Sequence, residues 1–200
     1  MKQVIGIIDY GAGNIFSLTC ALDRLEISYR MVKTAEEFEA CDKYIIPGVG
    51  HAGAAMARLE ESGLVPLIRA TDKPVLGICV GMQLLTDTSE EGDSTLLGIV
   101  PLKTSLFKTP ALKVPHMGWN IVKPHNDDIL FRGLAPESHF YFVHSYFIEF
   151  NPNFTIGSTG YGTVFSASMR KNNFRGVQFH PEKSGENGEL VLKNFYQHIN

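Results

Sequence analysis

A chain of 200 residues, 44% of them hydrophobic, is long enough to bury a full core as one unit spanning residues 1–200. A formal net charge of −3 offers no global attraction to nucleic acid or to an anionic membrane surface. Three cysteines, Cys20, Cys41 and Cys79, make no disulfide framework, and the apolar run at residues 4–8 is stopped by Asp9, too short for a signal peptide or a membrane span; the expected compartment is the cytoplasm.

Residues 4–8 read as a buried strand. Residues 17–25 follow as a helix with Leu18, Ala21, Leu22 and Leu25 on one face. Residues 29–32 form a second strand, and Thr34 with Glu37 makes a capping box for a short helix. A third strand at 44–46 is ended by Pro47-Gly48-Val49-Gly50. Helices are expected at 52–61 and 64–70, a fourth strand at 75–78, and another helix starting at Val80 and running to residue 86. This alternation predicts a parallel sheet covered on both faces.

From about Gly98 the pattern changes to successive strand-like pieces at 114–122, 140–150, 155–158, 164–170 and 176–179, with Asn172-Asn173 as a hairpin turn between the last two. These read as antiparallel strands added to the parallel core, and residues 189–199 as a closing helix. The expected fold is therefore α/β: an open, mostly parallel, flavodoxin-like sheet with helices on both faces plus antiparallel strands. Reactive groups in such sheets gather at the carboxyl ends of the strands.

Gly77-Ile78-Cys79-Val80-Gly81 places a cysteine between glycines directly after an apolar strand, the pattern of a nucleophile elbow. Far downstream, His180 is followed at i+2 by Glu182; on a strand the two would share one face, so that the carboxylate could orient the imidazole. A helix N-terminus at Val80 and an imidazolium at His180 would both favour a thiolate. Attack on a carbonyl creates an oxyanion, for which the Val80 N–H is one natural donor and the loop around Val49 and Gly50 a source of a second. The chemistry implied is acyl transfer to water.

Other candidates are weaker. Cys20 and Cys41 read as small buried hydrophobes. Gly11-Ala12-Gly13 hints at a dinucleotide fingerprint, but Phe occupies position 16. Asp9, Tyr10 and Asn14 are suited to rimming the crevice or capping the first helix. The seven histidines lack zinc spacing, and the odd separation of His139 and His144 puts them on opposite faces of a strand, so no metal site is expected. Trp119 and Phe140-Tyr141-Phe142 read by default as sheet packing, although His116-Met117-Gly118-Trp119-Asn120 is an odd mixture for a core.

Together, Pro47-Gly48-Val49-Gly50, Gly77-Ile78-Cys79-Val80-Gly81-Met82-Gln83 and Gly176-Val177-Gln178-Phe179-His180-Pro181-Glu182 resemble the signatures of the class I (triad) glutamine amidotransferases. Pro115-His116-Met117-Gly118-Trp119-Asn120, Tyr141-Phe142-Val143-His144-Ser145-Tyr146, Asp9-Tyr10-Gly11-Ala12-Gly13-Asn14 and Lys183-Ser184 are similar, within that class, to the glutaminase subunits of imidazole glycerol phosphate synthase. The resemblance implies that Cys79, His180 and Glu182 hydrolyse glutamine to glutamate and ammonia, without a cofactor. Gln83, Gly50, Ser145 and Tyr146 would hold the substrate. Ammonia would pass to a (β/α)8-barrel cyclase subunit in histidine biosynthesis, with Asn14, Trp119 and Lys183 at or near the interface. Low glutaminase turnover is expected without that partner. Two other readings share parts of the pattern: a free-standing hydrolase of γ-glutamyl amides, or a paralogue with another ammonia acceptor. A non-catalytic scaffold would have no physical need for a strained Gly-Cys-Gly turn.

Overall fold

The computed structural model of the chain describes residues 3–108 and 112–199. The amino-terminal half runs β1 (Ile5–Ile8), α1 (Ile15–Arg24), β2 (Tyr29–Val32), α2 (Ala35–Glu39), β3 (Lys43–Ile46), α3 (Ala52–Glu61), α4 (Val65–Ala70), β4 (Val75–Ile78) and α5 (Val80–Leu84). Then come β5 (Thr86–Ser89), β6 (Ser94–Thr95), β7 (Val100–Leu106), β8 (His116–Ile121), β9 (Lys123–Pro124) and β10 (His139–His144). The chain ends through β11 (Tyr146–Ile148), β12 (Thr155–Gly160), β13 (Val164–Lys171), β14 (Phe174–Val177) and α6 (Gly185–His198).

The principal sheet has the order β2-β1-β3-β4-β14-β13-β12-β9. Its first five strands are parallel and the remainder antiparallel. Strands β1, β3 and β4 are buried at every position, as expected where helices cover both faces. The second strand departs from that pattern because it lies at the sheet edge. The capping box of α2 forms as read: Thr34 Oγ1 accepts from Glu37 N, and the Glu37 carboxylate accepts from Thr34 N.

Three segments differ from the sequence reading. The last strand, β14, is antiparallel to β13 across the Asn172-Asn173 loop but pairs in parallel with β4, so it completes the parallel sheet. Residues 86–106, expected as a helix end and a connection, supply β5 to β7 of a separate four-stranded sheet, β11-β7-β5-β6. Their inward side chains include Thr86, Ser89 and Thr104, which carry no apolar periodicity; Thr86 instead bonds to Gln83 O at 2.8 Å and Thr104 Oγ1 at 3.2 Å. Finally, residues 140–150 are not one strand. The chain breaks at Ser145, with β10 pairing to β8 in a two-stranded ribbon and β11 to β7 in the other sheet.

Candidate active site

Cys79 directly follows β4 and stands at φ +55°, ψ −111°, a backbone conformation an L-residue adopts only under constraint. The constraint is visible. Cys79 N donates to Val177 O at 2.8 Å, while Cys79 O receives Met82 N and Gln83 N at 3.0 and 3.2 Å as α5 begins. The crossing is too tight for side chains: a Cβ on Gly77 would overlap the carbonyl oxygen of Gly81, and one on Gly81 would overlap the carbonyl oxygen of Ile46. Here the elbow geometry and the glycine spacing have the same cause.

His180 reaches Cys79 because β14 lies beside β4 with Val177 opposite Ile78. The pair His180–Glu182 does form, with Nδ1 and Oε1 2.8 Å apart, but by different local geometry from the expected shared strand face. His180 caps a short 3-10 turn, Pro181–Lys183, and the turn carries the carboxylate back under the ring. The segment is pinned from both sides: His180 N donates to Tyr141 O at 2.9 Å, and the Ser184 hydroxyl donates to His180 O at 2.6 Å and accepts from Tyr141 N at 3.0 Å.

The His180 and Glu182 side chains are nearly sealed, at 2% and 3% exposure. Burial alone would depress the imidazole, but the Cys79 sulfur and the Glu182 carboxylate outweigh it and push His180 up to about 10. Nδ1 is engaged by Glu182, and Nε2 is buried with no hydrogen-bond partner in the resting chain. An imidazolium with Nδ1 held by the carboxylate keeps its Nε2–H as the proton that can be given to a leaving nitrogen.

The cleft measures about 290 Å³ and brings together Cys79, Val80, Val49, Gly50, Gln83, Ser145, Tyr146 and His180. Val80 opens α5, so its N–H belongs to those a helix start leaves without an intrahelical acceptor. Gln83 is buried and donates to Tyr146 O at 3.1 Å and to Gln178 Oε1 at 3.0 Å. Glu182 stands behind the imidazole, where it borders a second, very small void together with Asn14 and Gly48.

Asn14, Trp119 and Lys183 do not line the cleft. Asn14 caps α1 by accepting from Ser17 N at 3.3 Å. Trp119 is 57% exposed on β8, beside Met117 at 63%, and Lys183 is exposed on the 3-10 turn. These positions are connected in space, since α1 packs against that turn and the turn against β10, the partner strand of β8. His139 and His144 do face opposite ways, exposed and buried respectively. Among the described residues, no group of three His, Cys, Asp or Glu side chains is disposed to hold a metal.

Two groups at the site, one buried behind the cleft and one on its wall, carry no functional signal of their own in the sequence. Gln178 Nε2 lies 3.7 Å from the Cys79 sulfur; it belongs to the Gly176–Glu182 motif but is a neutral amide with no catalytic pattern. Glu91 contributes a carboxylate to the cleft wall and accepts from Ala52 N at 2.6 Å. It arrives there through the β5–β6 turn, which no periodicity announced.

A strained cysteine at the top of a parallel sheet, with a buried His–Glu pair in the turn just beyond the neighbouring strand, is the arrangement expected of a class I glutamine amidotransferase. The chain belongs to that family: the family model described as "Glutamine amidotransferase class-I" matches residues 6–199. More particularly, it is 46% identical over 197 residues to the imidazole glycerol phosphate synthase subunit HisH of Pasteurella multocida, covering 98% of this chain and 99% of that protein. The protein of the same name from Haemophilus influenzae is 45% identical, covering 98% of both. In Bdellovibrio bacteriovorus it is 46% identical, covering 96% and 98%. Among solved structures, one described as a glutamine amidotransferase superposes with a TM-score of 0.75 at 17% identity, covering 98% of this chain and 97% of its own. The structure of PurLQS from Thermotoga maritima gives 0.73 at 16%, covering 100% of both chains.

Proposed function

We propose that the cleft is a glutaminase site that works as follows, within the glutaminase subunit of an imidazole glycerol phosphate synthase acting in histidine biosynthesis. The observation that carries this reading is the parallel pairing of β4 with β14, which delivers Cys79 and His180 to one cleft from positions a hundred residues apart.

The Cys79 thiolate attacks the side-chain amide carbon of glutamine, forming the carbon–sulfur bond and an oxyanion. The Val80 N–H, with the Val49–Gly50 loop as the second source, stabilises that oxyanion; each such donor is worth about 3–4 kcal/mol by precedent. His180 gives its Nε2 proton to the departing nitrogen and ammonia leaves. The resulting thioester is hydrolysed by a water that His180 deprotonates, and the Cys79 thiolate returns with glutamate released. Glu182 keeps the ring in the orientation that aims Nε2 at the reacting atoms. Gln83, Gly50, Ser145 and Tyr146 shape the substrate pocket, and Glu91 supplies the one carboxylate among its described lining residues, suited to the substrate's α-ammonium.

Ammonia then goes to a (β/α)8-barrel cyclase subunit. Trp119 and Met117 are exposed on β8, and β10, the partner strand of β8, packs against the turn of Lys183, which itself packs against the helix that Asn14 caps; this apolar pair with polar neighbours along connected elements is the composition of a docking face. Trp119 touches Tyr141 edge-on at 6.1 Å between ring centres, and the Tyr141 backbone holds His180, so docking there bears on the base itself. The test is copurification with the barrel subunit, followed by glutaminase assay with and without that partner and its nucleotide substrate. Turnover that rises on complex formation supports the reading; equal turnover alone and in the mixture would favour a free-standing hydrolase.

A further inference from the structure

From the cleft wall at His144 a row of hydrogen-bonded side chains runs back into the ribbon, and the proposed reaction does not use it. His116 on β8 and His144 at the end of β10 are register partners across the ribbon and are both buried, at 3% and 6% exposure. His116 Nδ1 stands 3.0 Å from His144 Nε2, and His144 Nδ1 stands 2.7 Å from Tyr146 O.

The polarity of this row follows from its ends. A carbonyl only accepts, so His144 Nδ1 carries the proton and its Nε2 must accept. His116 then donates from Nδ1, and its Nε2 accepts from Asn120 Nδ2 at 3.4 Å. The orientation of the Asn120 amide is set independently: its Nδ2 donates to Gly160 O at 3.0 Å and its Oδ1 accepts from Ile121 N at 2.9 Å. A proton added to either ring would set N–H against N–H. Burial opposes protonation as well, lowering His116 to about 4 and His144 to about 3.

The receiving group is the junction of the cleft. Tyr146 O accepts both from His144 and from the Gln83 amide, whose other N–H goes to Gln178, and Gln178 in turn reaches the Cys79 sulfur. One carbonyl therefore ties the Ser145–Tyr146 break between two sheets to the side chain on the opposite wall. We propose that His116 and His144 are positioning residues for glutamine: a neutral, one-directional relay that holds the Tyr146 peptide, and through it Gln83, in the geometry that receives the substrate. The inference rests on the glutaminase reading of the cleft.

Two measurements on the full chain test it. Long-range proton–nitrogen spectra of histidine-labelled protein should show both rings neutral and protonated on Nδ1, unchanged from about pH 8 to about pH 5. A ring protonated on Nε2, or one titrating within that range, overturns the relay whatever the substrate. In glutamine hydrolysis by the complex with the barrel subunit, His144→Leu should raise KM about tenfold, the loss expected for a buried hydrogen bond, with kcat changed less than about threefold. His144→Gln, which can donate to Tyr146 O and accept from His116, should recover most of that loss. An unchanged KM in a folded His144→Leu overturns the proposal, as does failure of His144→Gln to do better. If His144→Leu does not fold, Asn120→Ala keeps both rings and should shift their tautomer populations and raise KM; no change in either overturns the relay. Wild-type complex that leaves glutamine untouched refutes the glutaminase reading instead, and the spectra still decide whether the relay exists.

Discussion

Cys79 N–H donates to Val177 O at 2.8 Å, a single backbone bond that joins the end of one parallel strand to the end of its neighbour. It is the point at which the cysteine's turn and the histidine's segment are joined. Three residues beyond Val177 the chain reaches His180, so strand pairing brings the two segments together, and bonds to Tyr141 and Ser184 then fix the imidazole's segment. Rigid support of this kind is what a reaction dependent on sub-ångström alignment needs.

Replacing the proposed nucleophile separates chemistry from folding. Cys79→Ala should lower glutamine turnover by about 10⁴-fold or more and abolish covalent labelling by a glutamine-mimicking electrophile, with the thermal midpoint close to wild type. Alanine has the same backbone demands at φ +55° as cysteine. Persistent labelling in the variant would move the nucleophile elsewhere.

Glu182→Gln should retain substrate binding while kcat falls about 10²- to 10⁴-fold, because an amide can leave the imidazole in the wrong tautomer. The same variant carries a pH signature. Folded His180 keeps its proton up to about pH 10, whereas an unfolded histidine releases it near pH 6.5. The folded state binds more protons within that window, so this contribution to stability is complete below about pH 6.5 and is lost as pH rises through about 10. Thermal midpoints measured across that range should fall less steeply in Glu182→Gln than in wild type; parallel curves would remove Glu182 from the coupling.

The elbow's glycines offer a purely steric prediction. A methyl on Gly81 meets the Ile46 carbonyl, which is main chain and cannot step aside, so Gly81→Ala should cost about 3 kcal/mol or more and roughly 10 °C in midpoint. Gly63→Ala is the control: φ is +72° there, but no atom lies within 4 Å of the added carbon, and about 1 kcal/mol is expected. Calorimetry of the two variants should rank them in that order.

Trp119→Ala should leave the midpoint of the isolated chain nearly unchanged, since the indole is more than half exposed, and should weaken association with the barrel subunit by about tenfold or more. Titration calorimetry with that subunit reads the second effect directly. Undiminished affinity would place the docking face elsewhere on the molecule.

Local chemistry made much of this protein legible in one dimension. The buried run at β1, the Thr34–Glu37 capping box and the Gly-Cys-Gly turn each depend on neighbours within a few residues, where periodicity, capping and steric demand act directly. Distance along the chain hid the rest. That β14 would insert beside β4 in parallel, that the strand carrying His144 would break at Ser145 and change sheets, that Glu91 would enter the cleft and that Gln178 would be buried against the Cys79 sulfur are consequences of which surfaces pack together. Side chains such as Thr86, Thr104, His116 and His144 look unsuited to an interior because their burial becomes tolerable only once hydrogen-bond partners arrive from distant segments.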